Sequence, residues 1–308
     1  MRFLIELQKT IATGRATLPT AGFVCAVLWM LFTHGNALLP VFFGLLLSAC
    51  SVYLVAELNN NNSLLRNGSR MLSCMTAIML TAITALHPVY IGHTLMLLYV
   101  IAYFFLFKTV QVPSPFHTFV IYFLISAASM LFSEILLLVP VYWVSQIYTR
   151  CLSFKCFIAS LLAIIAPYWI YSAYFIYYDD YASLLHIAES LVSFHLPDYS
   201  GVTIEQLIQF FYVVLLLFVG VFDFYANSHK EKIKVRYMYI SVIIHSFFWL
   251  LFIPFQPQYF YVVFPLLVVN SAILGGHYLA LTYTKVSAII SVLFAILTLF
   301  VFFMPYIL

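Results

Sequence analysis

The chain has 308 residues, of which 65% are hydrophobic and only 7% are charged, and its mean hydropathy is +1.07. A soluble domain carries about 25% charged residues, so this composition excludes an ordinary soluble protein and indicates a membrane protein. The net charge of +3 comes from basic residues scattered through the loops, and this argues against a nucleic-acid partner.

Apolar runs separated by short polar turns predict an all-α fold: a polytopic transmembrane helix bundle of about eleven spans, forming one domain over residues 1–308. The predicted spans are 18–33, 38–56, 71–86, 90–109, 118–132, 135–149, 157–177, 206–224, 237–254, 259–279 and 287–305. Residues 1–16 precede the first span and are expected to form an amphipathic cytoplasmic lead-in on the membrane surface.

All thirteen lysine and arginine residues fall on one side of the predicted bundle. They are Arg2, Lys9, Arg15, Arg66, Arg70, Lys108, Arg150, Lys155, Lys230, Lys232, Lys234, Arg236 and Lys285. Because cytoplasmic loops are enriched in lysine and arginine, this side is predicted to be cytoplasmic. The N-terminus then lies in the cytoplasm and the C-terminus lies outside.

The apolar stretch 116–150 is too long for one span of about 20 residues and short for two. A single crossing would move seven of the thirteen basic residues to the outer side, whereas two crossings keep all of them inside. A short-helix hairpin is therefore predicted at 118–149, with Ser133 and Glu134 at its tip.

Glu134 is a candidate catalytic residue because of its predicted depth. Each hairpin arm has about 14 residues and spans about 21 Å, whereas the hydrocarbon core is about 30 Å thick. The carboxyl group is therefore expected to line a cavity that opens outward, since an ionisable group at membrane depth marks a functional site by default. In the alternative interpretation, Glu134 only marks the turn and reaches the outer headgroups.

Further candidate residues lie at the outer face, at the end of an aromatic run. Asp179 and Asp180 are candidate catalytic carboxylates, and Tyr174 and Tyr178 are candidate contacts for a sugar or lipid substrate. An aromatic belt at the membrane interface accounts for the same tyrosines without a substrate. Residues 178–205 predict an outer amphipathic segment that lies on the membrane surface.

Two polar residues fall near the middles of consecutive predicted spans. His245 and Asn270 are expected at similar depths, where they are candidate substrate contacts or partners in a helix-packing hydrogen bond. Asp223 is ionisable and falls near the inner end of its span. The sequence predicts neither a metal site nor a cofactor, because no motif brings three metal ligands or a phosphate-binding loop together.

The whole-chain layout resembles an uncharacterised family of polytopic inner-membrane proteins of Bacteroidota. The residues that carry the resemblance are Asn62–Arg70, Arg150 followed by Phe154–Trp169, and Phe264–Leu281 before Lys285. The resemblance implies a multi-pass protein of the bacterial inner membrane. It brings no established activity with it.

The stretch Ser126–Trp169 is also similar to the middle of multi-pass glycosyltransferases that use polyprenyl-phosphate sugars, which have short paired spans and an arginine loop before a proline-ended span. Those enzymes carry a catalytic carboxylate in a large outer loop after the first span. The corresponding loop here, His34–Ala37, contains no acidic residue.

Three functions remain open from the sequence. The first is a non-enzymatic component of cell-envelope assembly, whose partners are the lipid bilayer and either a polyprenyl-linked lipid or other membrane proteins. The second is a transferase or ligase that uses a lipid-linked sugar at the outer face. The third is a transporter, which would be expected to show internal repeats or broken helices in matching positions.

Overall fold

A computed structural model describes residues 2–32, 37–178 and 196–307, and every secondary-structure element in these ranges is helical. The α-helices are α1 (Arg2–Thr13), α2 (Thr17–Leu31), α3 (Leu38–Asn62), α4 (Met71–Ala82), α5 (Tyr90–Thr109), α6 (Pro115–Ser129), α7 (Leu138–Tyr148), α8 (Phe154–Tyr177), α9 (Ile204–Asn227), α10 (Ile233–Phe255), α11 (Phe260–Leu281) and α12 (Lys285–Phe303). Each of the eleven predicted apolar segments coincides with helical structure.

Among the described residues, seven helical segments are long and apolar enough to cross a membrane, as expected of a multi-pass membrane protein. They are Leu38–Asn62, Tyr90–Thr109, Phe154–Tyr177, Ile204–Lys230, Ile233–Phe255, Pro257–Leu281 and Lys285–Tyr306. Helices α1 and α2 meet at 88° and add an eighth crossing if they are counted as one broken span. The other apolar helices, namely α4, α6 and the segment Ser133–Tyr148, are shorter.

The described chain divides into two compact units. The first unit comprises Met1–Leu97 and Asp198–Leu308, and it is built around α11, on which α4, α9 and α10 pack. Helix α11 is enclosed along most of its length, and α4 is surrounded in turn by α2, α3 and α12. These two central helices carry almost only apolar and small residues, because no face of either helix is left for solvent.

The amphipathic helix α1 is fixed to the first unit by one buried side chain, Gln8. Its Nε2 donates to the carbonyl oxygens of Leu279 at 2.9 Å and Thr282 at 3.1 Å, and its Oε1 accepts from Ser287 Oγ at 3.2 Å. Ser69 also donates to the carbonyl oxygen of Ala12. The predicted lead-in is therefore an amphipathic helix, and these bonds hold it in one position.

The second unit comprises Leu98–Pro197, in which α6 packs along α8. Ser126 Oγ donates to the carbonyl oxygen of Ile164 at 2.6 Å, and Tyr122 OH donates to Gln146 Oε1 at 3.1 Å. A 3-10 turn, Ser133–Leu137, follows α6 and leads into α7. The hairpin predicted at 118–149 thus consists of α6, this turn and α7, each too short to span a bilayer unaided.

The outer segment predicted at 178–205 is only partly described. The amphipathic helix that the sequence predicts near 181–193 lies outside the described residues. At the end of this segment, Thr203 caps α9: Gln206 N donates to Thr203 Oγ1 at 3.2 Å, and Thr203 N donates to Gln206 Oε1 at 3.1 Å. This reciprocal pair is a capping box that satisfies two backbone donors.

Candidate functional site

Glu134 lies in the turn between α6 and α7, where its side chain is partly exposed. Ser133 Oγ donates a 2.9 Å hydrogen bond to its Oε2. This bond is local to the turn, so it fits either interpretation of Glu134, as a turn marker or as a site residue.

The outer-face candidates are divided between described and undescribed parts of the chain. Asp179 and Asp180 lie outside the described residues. Tyr174 and Tyr178 are exposed at the end of α8, and their ring centroids are 4.8 Å apart. Such an exposed aromatic pair suits an interfacial belt as well as a substrate groove.

His245 and Asn270 are both fully buried in the first unit, on the packed helices α10 and α11. The Nδ1 atom of His245 lies 2.7 Å from the carbonyl oxygen of Ser241, one turn earlier in its own helix. Both side chains therefore lie in the interior of the first unit. Their roles as substrate contacts stay a prediction.

Among the described residues, a group of ionisable side chains lies elsewhere, at the ends of the helices that carry the basic loops. We call it the inner cluster, and it consists of Asp223, His277, Glu231 and Arg66. The imidazole of His277, on α11, lies between two carboxylates: its Nδ1 is 3.9 Å from Asp223 Oδ2, and its Nε2 is 3.8 Å from Glu231 Oε1. Only 2% of His277 is exposed.

Asp223, on α9, is held in place by two donors. Asn227 Nδ2 donates to Asp223 Oδ1 at 2.8 Å, and Thr282 Oγ1 donates to the same oxygen at 3.0 Å. The other carboxylate oxygen has no hydrogen-bond partner among the described residues and faces His277. One oxygen of Asp223 therefore fixes the carboxylate, and the other is free to interact with the imidazole.

Glu231 follows α9 in the loop to α10, and 7% of it is exposed. Arg66, from the loop between α3 and α4, places its Nε 3.7 Å from Glu231 Oε1. The His277 side chain, assisted by Arg66 and Arg236, holds the pKa of Glu231 below its ordinary value, although partial burial opposes this. Glu231 is therefore ionised at neutral pH.

Asp223 reaches His277 because α9 and α11 cross at very short distance. A Cβ atom on Gly220 would lie 2.5 Å from the carbonyl carbon of Leu274, and a Cβ atom on Gly275 would lie 2.5 Å from Leu216 Cγ. Such glycine contacts let two helix backbones approach closely. Asp223 lies one turn beyond Gly220 and therefore faces α11 next to this crossing.

The number of hydrogen bonds that the cluster can form depends on the donors of the imidazole. A neutral imidazole has one N–H donor and can serve only one of the two carboxylates, whereas a protonated imidazole has a donor for each. The separations of 3.8 and 3.9 Å exceed hydrogen-bond length, and a closure of about 1 Å would form both bonds. Within the described residues, no group of three or more His, Cys, Asp and Glu side chains is placed to hold a metal ion.

Reasoning from the sequence identified Asp223 as an ionisable residue near the inner end of its span, but it missed His277 and Glu231. Two signals were available. His277 follows Gly275 and Gly276 directly, and paired small residues in an apolar helix indicate a close helix crossing. Glu231 is the one acidic residue in the otherwise basic run 229–236.

Comparisons with protein-family models, with curated proteins and with solved structures gave no significant match, so the inner cluster is interpreted from its geometry alone.

Proposed function

We propose that the chain is a non-enzymatic component of cell-envelope assembly in the bacterial inner membrane, and that the inner cluster is its functional site. The observation that supports this proposal is the burial of His277 between two carboxylates. Buried ionisable groups in a membrane bundle are costly, and they persist where function requires them. In this proposal, protonation of His277 draws Asp223 and Glu231 together and fixes the loops that carry the cluster.

The position of the cluster favours this function over proton transport across the membrane. Arg66 is 49% exposed and belongs to a loop, and Glu231 belongs to a second loop on the same predicted side. The cluster thus reaches the predicted cytoplasmic face through Arg66, where a partner protein would act on it. A transporter would instead need a polar route that continues to the outer face.

The proposal includes the orientation and the count of eleven spans, with α2, α4, α6 and α7 as additional crossings. The thirteen basic residues support a cytoplasmic N-terminus and an outer C-terminus.

In a cysteine-free background, we expect a membrane-impermeant maleimide to label Ser200→Cys in intact cells. Asn61→Cys is expected to react only after the membrane is opened. Labelling of Asn61→Cys from outside would overturn the orientation.

The functional test is complementation in the host organism. A strain that lacks the gene is expected to show an envelope defect, such as sensitivity to a large antibiotic that intact envelopes exclude. The wild-type chain and His245→Gln are expected to restore resistance. His277→Gln is expected to fail at equal protein level, because a glutamine amide cannot carry the proton that links the two carboxylates.

Variants at the outer face separate this function from the transferase alternative. The double variant Asp179→Asn with Asp180→Asn is expected to restore resistance like the wild type, since the proposal gives these carboxylates no chemical role. If the outer variant fails and His277→Gln succeeds, the working site is at the outer face and the proposal is wrong.

A further inference from the structure

A second site lies in the first unit, away from the inner cluster. A groove of about 520 Å³ runs between the docked helix α1 and the helices α4 and α12. Its volume is within the range of about 300–1,000 Å³ found for small-molecule sites. Its lining residues are mostly apolar and include Leu7, Ile11, Met75, Ala295 and Leu299.

The groove is built into the fold. One wall is the apolar face of α1, and the hydrogen bonds of Gln8 to Leu279 and Thr282 hold this helix in position. Gln8 also lines the groove, and both its amide oxygen and its amide nitrogen are hydrogen-bonded. Helix α1 therefore cannot move away from the groove without breaking buried hydrogen bonds. The groove is therefore preformed.

The opening of the groove faces sideways. Ile296 and Leu299 of α12 line the groove and are more than half exposed. Helix α12 is long and apolar enough to cross the membrane, and only 28% of its apolar 18-residue stretch is buried. The exposed side of this helix therefore faces hydrocarbon, so a lipid chain can enter the groove laterally from the bilayer.

Two exposed basic residues are next in sequence to residues that line the groove. Lys9 follows Gln8 on α1, and Arg70 immediately precedes Met71, which is the first lining residue of α4. Both cations are exposed, and the one acidic residue of α1 is Glu6. Basic side chains near the cytoplasmic surface of a membrane attract anionic lipid headgroups by about 1 kcal/mol each.

From the preformed apolar groove, its lateral opening and the basic residues next in sequence to its lining, we propose that the groove binds one anionic phospholipid of the bilayer. The acyl chain lies between α1, α4 and α12, and the phosphate group lies near Lys9 and Arg70. This site does not depend on the function proposed for the inner cluster.

The test uses the full-length protein in a mild detergent and measures bound lipid by native mass spectrometry. Phosphatidylglycerol and phosphatidylcholine with identical acyl chains are the probes. We expect one phosphatidylglycerol to be retained preferentially. Ala295→Phe fills the groove and is expected to abolish retention, whereas Leu293→Phe, at an exposed position of α12 that does not line the groove, is expected to keep it.

The headgroup is tested separately. The double variant Lys9→Gln with Arg70→Gln is expected to lose the preference for phosphatidylglycerol, and Lys234→Gln, a change of one exposed charge elsewhere, is expected to keep it. Equal retention of both lipids by the wild type, or full retention by Ala295→Phe, would overturn the proposal. If the wild type is instead a lipid-free dimer and Ala295→Phe dissociates this dimer, the groove binds a second copy of the chain. That result would also overturn the proposal.

Discussion

Replacement of His277 by leucine is expected to destabilise the protein by about 3 kcal/mol, because it leaves two buried carboxylates without the imidazole between them. Glu231 keeps only the nearby charges of Arg66, which is half exposed, and Arg236, and the free oxygen of Asp223 faces an apolar side chain. The measurement is the free energy of unfolding in mixed micelles that contain a denaturing detergent.

A double-mutant cycle checks the cause of this loss. Glu231→Gln keeps the shape of the side chain and removes its charge, so His277→Leu is expected to cost at least about 1 kcal/mol less in that background. If the two effects add within about 0.5 kcal/mol, His277 and Glu231 do not interact and the description of the inner cluster is wrong.

The cluster also predicts how the stability of the protein changes at acidic pH. The folded state holds the pKa of Glu231 below its unfolded value, so the stability from this group is present above the unfolded pKa and is lost as pH falls through the folded-state pKa. His277 is the largest cause of the lowered pKa. The stability of the His277→Leu variant should therefore fall less than that of the wild type as the pH drops below the ordinary glutamate pKa of about 4.5.

The second large effect is expected at the crossing of α9 and α11. Gly220→Ala places a Cβ atom 2.5 Å from the carbonyl carbon of Leu274 and 2.7 Å from its oxygen, so the two backbones must move apart. Overpacking of this kind costs about 1–3 kcal/mol, and we expect the upper end because the obstructing atoms belong to the backbone. The movement also separates Asp223 from His277.

Gly22→Ala on α2 is the matched control. A Cβ atom on Gly22 has no neighbour within 4 Å, so the substitution adds no clash. Alanine in a helix interior is favoured over glycine by about 1 kcal/mol, and this variant should be neutral or slightly more stable in the same unfolding measurement. Similar losses for Gly22→Ala and Gly220→Ala would show that the close crossing has no special importance.

Helix positions follow directly from the local sequence. Each predicted apolar segment is helical because backbone groups in an apolar chain must be satisfied within the segment, and the ends are marked by residues such as Thr203 with Gln206. The amphipathic lead-in was also predictable, since alternation of apolar and charged residues at helical spacing is a property of the segment itself.

The inner cluster depends on distances between segments that lie far apart in the chain. His277 meets Asp223 because Gly220 and Gly275 let two helices cross closely, and it meets Glu231 because the loop after α9 returns to the end of α11. The groove likewise requires α1 to dock through Gln8 onto α11 and α12. Hydrophobic periodicity sets which face of a helix is buried, whereas close packing of particular small and polar side chains sets which faces meet.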